Sequence, residues 1–409
     1  MFKKNNMKNR IILMAFGIVM FYSCNKENDT SIIPERGTIV GNPVLMGSYS
    51  KTLIAAALQT VAGDYAQAFT CNYDIVFYKI DYNTIDPAGN PALASGLIIL
   101  PVDSTKLFPL LSWHHGTVLK KTNAPSHLQG DFQGGLIFAT DGYVVACPDY
   151  LGIGDGTHLH PYLHAPSEAT AVIDMLRATR LFCKEQGYAL NEQLFLAGYS
   201  QGGHVTMAAL KTIEEQYSTE FTVTACSPMA GPYDLSETQL NFVMRDSAYP
   251  IPCILPYILF AYNNVYQMYP DLRSVFLPQY YDELKEYFND SPAYECDAVD
   301  NVWPPSKIPS VVLRPEIIES VKQDPACPIV LALEENNLYD WAPKSPIHLC
   351  HCDADDIVSY QNSVVAYNSF VKNGSTNIEL VMPLHGGTHE TCVIPSLIDA
   401  ITWFGSLKQ

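Results

Sequence analysis

A chain of 409 residues with 48% hydrophobic and 16% charged content can bury a large core, which excludes general disorder. Its 24 basic and 42 acidic side chains leave a net charge of −18. That balance gives no electrostatic basis for gripping nucleic-acid phosphates or anionic lipid, and it suits neutral substrates better than polyanions.

Lys3, Lys4, Lys8 and Arg10 form a basic start, followed by an apolar run of twelve residues from Ile11 to Tyr22. That is signal-peptide length, well below the roughly 20 residues of a membrane-spanning helix. The run ends at Phe21-Tyr22-Ser23-Cys24, where a small residue precedes a cysteine. The ending resembles the lipobox of bacterial lipoproteins, with Phe and Tyr where that motif usually has Leu and a small residue. The resemblance implies removal of residues 1–23 as a signal peptide and acylation of Cys24, with several acyl chains giving durable anchoring. Residues 24–50 then read as the lipidated cysteine and a flexible tether, polar from Asn25 to Pro34. The expected location is the bacterial cell envelope, at the outer membrane, and Glu27 and Asp29 in the tether hint at its outer surface.

Ser50 to Phe69 has helical spacing. Tyr73 to Tyr82 alternates as a strand, Asp86 to Asn90 is a turn cluster and Leu93 to Pro101 is a second strand, together an opening hairpin. The rhythm then changes. Apolar runs at Phe108–Trp113, Gly142–Ala146 and Gln193–Ala197 alternate with helical stripes at Glu168–Lys184 and His204–Tyr217. Further runs follow at Phe221–Cys226, Ile347–Cys352 and Ile378–Leu384, with a closing helix from about Glu390 to Phe404. Near-continuous apolar strands between helices predict an α/β fold with a mostly parallel central sheet flanked by helices. Sites in such sheets form beyond the carboxyl ends of the strands, where the polar motifs of this chain lie.

Residues 236–344 break the rhythm with many Tyr, Phe and Pro and only weak strand patterns. So long a stretch must carry its own structure, and it reads as a largely helical cap inserted between core segments 51–235 and 345–409. Its aromatic residues pack the cap's own core or line a pocket. Of the eleven cysteines none forms a CxxC pair. Cys350-His351-Cys352 looks like a metal fragment, but strand neighbours point to opposite faces and no second ligand pair is evident. It reads as buried strand, with no metal expected. An exported chain permits disulfides, whose pairing the sequence does not give.

Gly198-Tyr199-Ser200-Gln201-Gly202 carries the strongest chemical signal. A serine nucleophile needs exposure and a free backbone N–H beside it, which a tight strand-to-helix turn provides, and large side chains two residues either side would collide there. The motif follows the apolar run ending at Ala197 and precedes a helix. A serine hydroxyl also needs a base and an acid that orients the base. In chain order Ser, Asp or Glu, then His, the candidates are Asp353, Asp355 and Asp356 after one strand, and His385 and His389 after the next. His114, His115, His158, His160, His164 and His204 come too early for the base and read as structural or pocket-lining. For the oxyanion, one N–H comes from Gln201 and a second from Gly116 or Thr117, after the Phe108–Trp113 strand. Asp149 and Tyr150, at the neighbouring strand end, read as shaping the site by hydrogen bonding.

His115-Gly116-Thr117, Pro148 to Gly152, Gly198 to Gly202, Trp341-Ala342-Pro343, His351 to Val358 and Gly387-Thr388-His389 occur in an order that resembles the α/β-hydrolase serine esterases and lipases, in the secretory-lipase-like branch with a helical cap. The resemblance covers about Tyr73 to the C-terminus. It implies Ser200 as nucleophile, Asp355 as acid and His389 as base, and it favours Thr117 as the second oxyanion donor. Cys352 stands where the family's acid motif has glycine, leaving Asp353 as the alternative acid. The implied activity is carboxylic-ester hydrolysis of a small-molecule ester through an acyl-enzyme, with no cofactor or metal. The membrane would be met only through the N-terminal lipid, and no nucleic-acid partner is expected. A peptidase on the same scaffold is the alternative, and a non-catalytic surface binding lipoprotein a third reading.

Overall fold

The computed structural model describes residues 35–103 and 105–409. The expected signal peptide, Cys24 and the polar stretch after it lie outside the described residues.

The chain runs β1 (Ile39–Tyr49), α1 (Lys51–Ala62), β2 (Ile75–Ile85), β3 (Pro91–Pro101), β4 (Phe108–His114), α2 (Phe132–Thr140), β5 (Val144–Pro148), α3 (Ala165–Gln186), β6 (Leu190–Tyr199), α4 (Gln201–Gln216) and β7 (Val223–Met229). Six helices follow: α5 (Leu240–Val243), α6 (Ile254–Tyr266), α7 (Pro278–Tyr287), α8 (Cys296–Val299), α9 (Pro315–Gln323) and α10 (Pro328–Glu334). The chain then returns through β8 (Ile347–Cys350), α11 (Gln361–Lys372), β9 (Ile378–Val381) and α12 (Val393–Leu407). The strands form one nine-stranded mixed sheet in the order β1-β2-β3-β5-β4-β6-β7-β8-β9. β1, β2, β3 and β5 pair antiparallel, and every pair from β5 through β4 to β9 is parallel. This is an α/β-hydrolase fold.

Side-chain alternation puts helices on both faces. In β6, Leu194 and Leu196 enter one core with α3, α4 and α11, while Phe195 and Ala197 enter the opposite core with α2 and α12. In β3, Ile98 and Leu100 divide from Leu97 and Ile99 in the same way. The segment between β7 and β8 builds a third core, shared with Leu119, Leu159, Tyr162 and Leu163 of the loops after β4 and β5, in which Tyr257, Tyr262, Phe260 and Phe276 are buried. The Cys253–Cys296 disulfide ties the start of α6 to α8.

The tether expected over residues 24–50 is corrected in its last part, since residues 39–49 are an edge strand. Glycines broke its alternation in the sequence: Gly41 and Gly47 have positive φ, and the pairing with β2 shifts register at Val40/Val44 and Leu45/Gly47. The helix α2 was likewise not anticipated. Its Gly134-Gly135 pair lowers helix propensity but lets the helix lie close on the sheet. A Cβ on Gly134 would stand 2.1 Å from the Trp113 ring, and one on Gly135 2.8 Å from Cys147 Sγ.

Candidate active site

Ser200 sits between β6 and α4 with φ 61° and ψ −121°, a region costly for any residue with a Cβ. The turn is tight on both sides. A Cβ on Gly198 would lie 2.4 Å from the Gly202 carbonyl oxygen, and one on Gly202 would lie 2.0 Å from the His114 oxygen. Ser200→Gly should therefore raise stability by about 1 kcal/mol as the strained backbone relaxes, read as a higher denaturation midpoint. An unchanged or lower midpoint would mean that the turn stores no strain at this residue.

Three separate loops meet at this serine. Ser200 Oγ is 2.9 Å from His389 Nε2, and His389 Nδ1 is 2.6 Å from Asp355 Oδ2. His389 lies between β9 and α12 and Asp355 follows β8, so the parallel strands β6, β8 and β9 deliver all three groups to one edge of the sheet. Asp355 Oδ1 accepts the N–H groups of Ile357 and Val358, and Oδ2 also meets His351 Nε2 at 3.2 Å. Burial works to raise the Asp355 pKa, yet the hydrogen bonds and charge interactions of His351 and His389 hold it well below the usual carboxylate range. A carboxyl lowered in the folded state stabilises the fold above the unfolded value near 3.8. That contribution fades only as pH falls through the lower folded value.

Asp353 and His385, the other candidates, face each other at 3.3 Å on the surface, where Asp353 also accepts the Gly386 N–H. Asp356 accepts the backbone N–H of His389 at 3.2 Å. The Tyr199 hydroxyl donates to the His389 carbonyl oxygen at 2.6 Å, so the residue before the serine holds the loop that carries the imidazole.

On the oxyanion side, Gln201 is the first residue of α4, where helix geometry offers its N–H no intrahelical acceptor. Gly116 is corrected as a second donor, because its N–H is given to Asp131 Oδ2 at 2.9 Å. The Thr117 N–H has no partner among the described residues, and the Thr117 hydroxyl meets the Tyr162 hydroxyl at 2.9 Å. Tyr150 supports this loop by donating its hydroxyl to the His115 carbonyl at 3.0 Å and stacking on the His115 ring. Asp149 is fully buried and accepts the Ser126 N–H at 2.9 Å.

Cys352 and Cys392 form a disulfide that joins the loop of Asp355 to the loop of His389. Closing a span of 40 residues stabilises the fold by about 4 kcal/mol on chain-entropy reasoning. The Cys350-His351-Cys352 fragment is thus divided among three roles. Cys350 lies buried beside Asp399, His351 meets Asp355, and Cys352 makes the crosslink. Sequence reasoning missed the pairing, the supporting role of His351, and a buried carboxylate, Glu168, beneath Gln201. No spacing motif marks the pairing or Glu168, whereas His351 opens the segment His351 to Val358 that carries the acid motif.

A cavity of about 60 Å³ opens beside Ser200 and Gln201. Its walls are mostly aliphatic and come largely from the segment between β7 and β8, among them Leu240, Val243, Leu255, Leu259 and Leu333. Most aromatic residues of that segment pack its own core, with Tyr249 among those reaching the cavity.

The family model described as secretory lipase matches residues 136–406. The rice cell wall degrading esterase LipA from Xanthomonas oryzae is 28% identical, with a TM-score of 0.82 over 92% of this chain and 100% of that one. A protein of Legionella pneumophila is 26% identical, with a TM-score of 0.82 over 90% of this chain and 98% of that one. Candida antarctica lipase A in its closed state shares the fold at 16% identity, with a TM-score of 0.69 over 91% of this chain and 82% of that one. No curated protein matches the chain.

Proposed function

The chain belongs to the secretory lipase family and is a carboxylic-ester hydrolase, and on that premise we propose that it works through Ser200, His389 and Asp355 by way of an acyl-enzyme. The observation that carries this reading is the unbroken contact from Ser200 Oγ through the His389 ring to Asp355, at 2.9 and 2.6 Å. His389 Nε2 takes the hydroxyl proton as Ser200 Oγ attacks the ester carbonyl. The N–H groups of Gln201 and Thr117 receive the oxyanion. Collapse of the intermediate expels the alcohol, which His389 protonates. Water, deprotonated by the same ring, then releases the acid. Asp355 holds the Nδ1–H of the imidazole and balances the charge that forms on it.

The segment 236–344 acts as a cap that seats the acyl group. The cavity beside Ser200 is narrow and walled mostly by aliphatic side chains of this segment, which favours short acyl chains. On nitrophenyl esters of graded length, kcat/KM should peak at about four to six acyl carbons and fall by about tenfold or more at sixteen. A maximum at sixteen would refute the short-acyl reading. Faster cleavage of dipeptide anilides than of every ester would point to the peptidase alternative.

Residues 1–23 act as an export signal, and Cys24 is the anchor that holds the enzyme to the bacterial cell envelope. The family's secretory character supports export. Metabolic labelling with palmitate should tag the chain, and Cys24→Ser should abolish the tag. Full labelling of that variant would refute the anchor.

A further inference from the structure

The side chain of Gln201 is held in a way that stability alone does not explain. Its Nε2 lies 2.7 Å from His160 Nε2 and 2.8 Å from Glu168 Oε1. His160 gives its Nδ1 proton to the Leu151 carbonyl at 2.8 Å, so Nε2 presents a lone pair. Burial pushes the His160 pKa down to about 4, which keeps the ring neutral near pH 7. Both amide hydrogens of Gln201 therefore have an acceptor each, and the amide cannot turn over without losing both.

Glu168, in the first turn of α3, is itself wholly buried and binds His204 Nδ1 through Oε2 at 2.7 Å. Burial works to raise its pKa, but His204 and Gln201 bring it below the ordinary value near 4.5, so it is ionised near pH 7. His204 Nε2 in turn faces the carbonyl oxygen of Asn336, just beyond α10, at 3.2 Å. The Gln201 Oε1 oxygen is buried with no partner among the described residues. A buried charge and an unpartnered amide oxygen are both unfavourable in a site that only needs to be filled, where apolar side chains would serve better. They are explained if the amide must be held in one place.

We propose that Glu168 is a positioning residue for the oxyanion site: with His160 it clamps the Gln201 side chain and thereby fixes the peptide N–H that follows the nucleophile. The inference rests on the reading of Ser200 as that nucleophile. Glu168 acts through Gln201 and touches no reacting atom. The same network ties the site to the end of the cap, because Asn336 Oδ1 accepts the Ala165 N–H at the start of α3 at 2.8 Å.

The test uses the purified chain and three variants, Gln201→Ala, Glu168→Gln and the double substitution. Gln201→Ala keeps the backbone N–H and suits a helix start, so it serves even if Glu168→Gln does not fold. Each protein is assayed for kcat and KM on nitrophenyl butyrate and for inhibition by butaneboronic acid. The hydroxyl oxygen of Ser200 bonds to that boron, passing its proton to His389, to form a tetrahedral adduct with an oxygen in the oxyanion site. Each single variant should lose about tenfold to a hundredfold in kcat. Boronic acid affinity should fall by a similar factor, with KM within about twofold. The double variant should be no worse than the poorer single one, since both break one clamp. A purely structural role would lower the melting temperature and leave kcat per folded enzyme and the boronic acid affinity unmoved. Gln201→Ala with the kcat of the unaltered chain overturns the proposal, as does additive loss in the double variant. A fluorophosphonate, which loses fluoride as it bonds to serine oxygen, is applied first to the unaltered chain. No label on Ser200 removes the nucleophile on which the inference rests. Full label with undiminished kcat in Gln201→Ala removes the inference alone.

Discussion

Ser200→Ala should lower kcat by about 10⁶ and leave the melting temperature nearly unchanged. In the proposed mechanism the hydroxyl supplies the bond-forming oxygen, and neither the oxyanion donors nor the cavity can replace it. Its structural contribution is small by comparison. The side chain makes no capping bond to α4 and one contact to His389. Alanine keeps the Cβ and so keeps the strain at φ 61°, which is why it should differ in stability from Ser200→Gly. Steady-state turnover of nitrophenyl butyrate beside a thermal melt measures both. Residual activity above about one per cent would mean that another group attacks the ester.

Asp355→Asn should lower kcat by about 10⁴. The carboxylate accepts from His389 Nδ1 at 2.6 Å, which leaves the Nε2 lone pair free to take the Ser200 proton. An asparagine can turn its amide nitrogen toward Nδ1 and so favour the opposite tautomer, whose Nε2 already carries hydrogen. The variant should also lose stability at neutral pH, because the Ile357 and Val358 N–H groups and the His351 ring all converge on this carboxylate. Asp353→Asn is the matched control. Asp353 pairs with His385 at the surface, and its substitution should change kcat by less than about twofold. Equal losses in the two variants would mean that Asp355 is not the orienting acid. Recovery of Asp355→Asn activity at alkaline pH would leave the tautomer explanation standing.

The fold was legible where local periodicity is strong. The apolar runs of β3 to β7 and the stripes of α3 and α4 each report on residues close in sequence, so one chain suffices to read them. Boundaries moved where the terminal residues were polar or glycine: α4 begins at Gln201, three residues ahead of its expected start at His204. β1 and α2 escaped notice because Gly41, Gly47, Gly134 and Gly135 interrupt the pattern. In each case the glycine has a tertiary reason, a bulge in one and close helix–sheet contact in the other.

The chain by itself determined the strongly periodic elements, the strained turn at Ser200 and the order in which an acid and a base would follow, because backbone sterics and side-chain alternation act over a few residues. Only the tertiary structure gave the Gly116 N–H to Asp131, paired Cys352 with Cys392 and set Glu168 against Gln201. Those outcomes depend on which distant segments are pressed together when the sheet and helices pack, and hydrogen bonds between residues far apart in sequence leave no periodic trace in it.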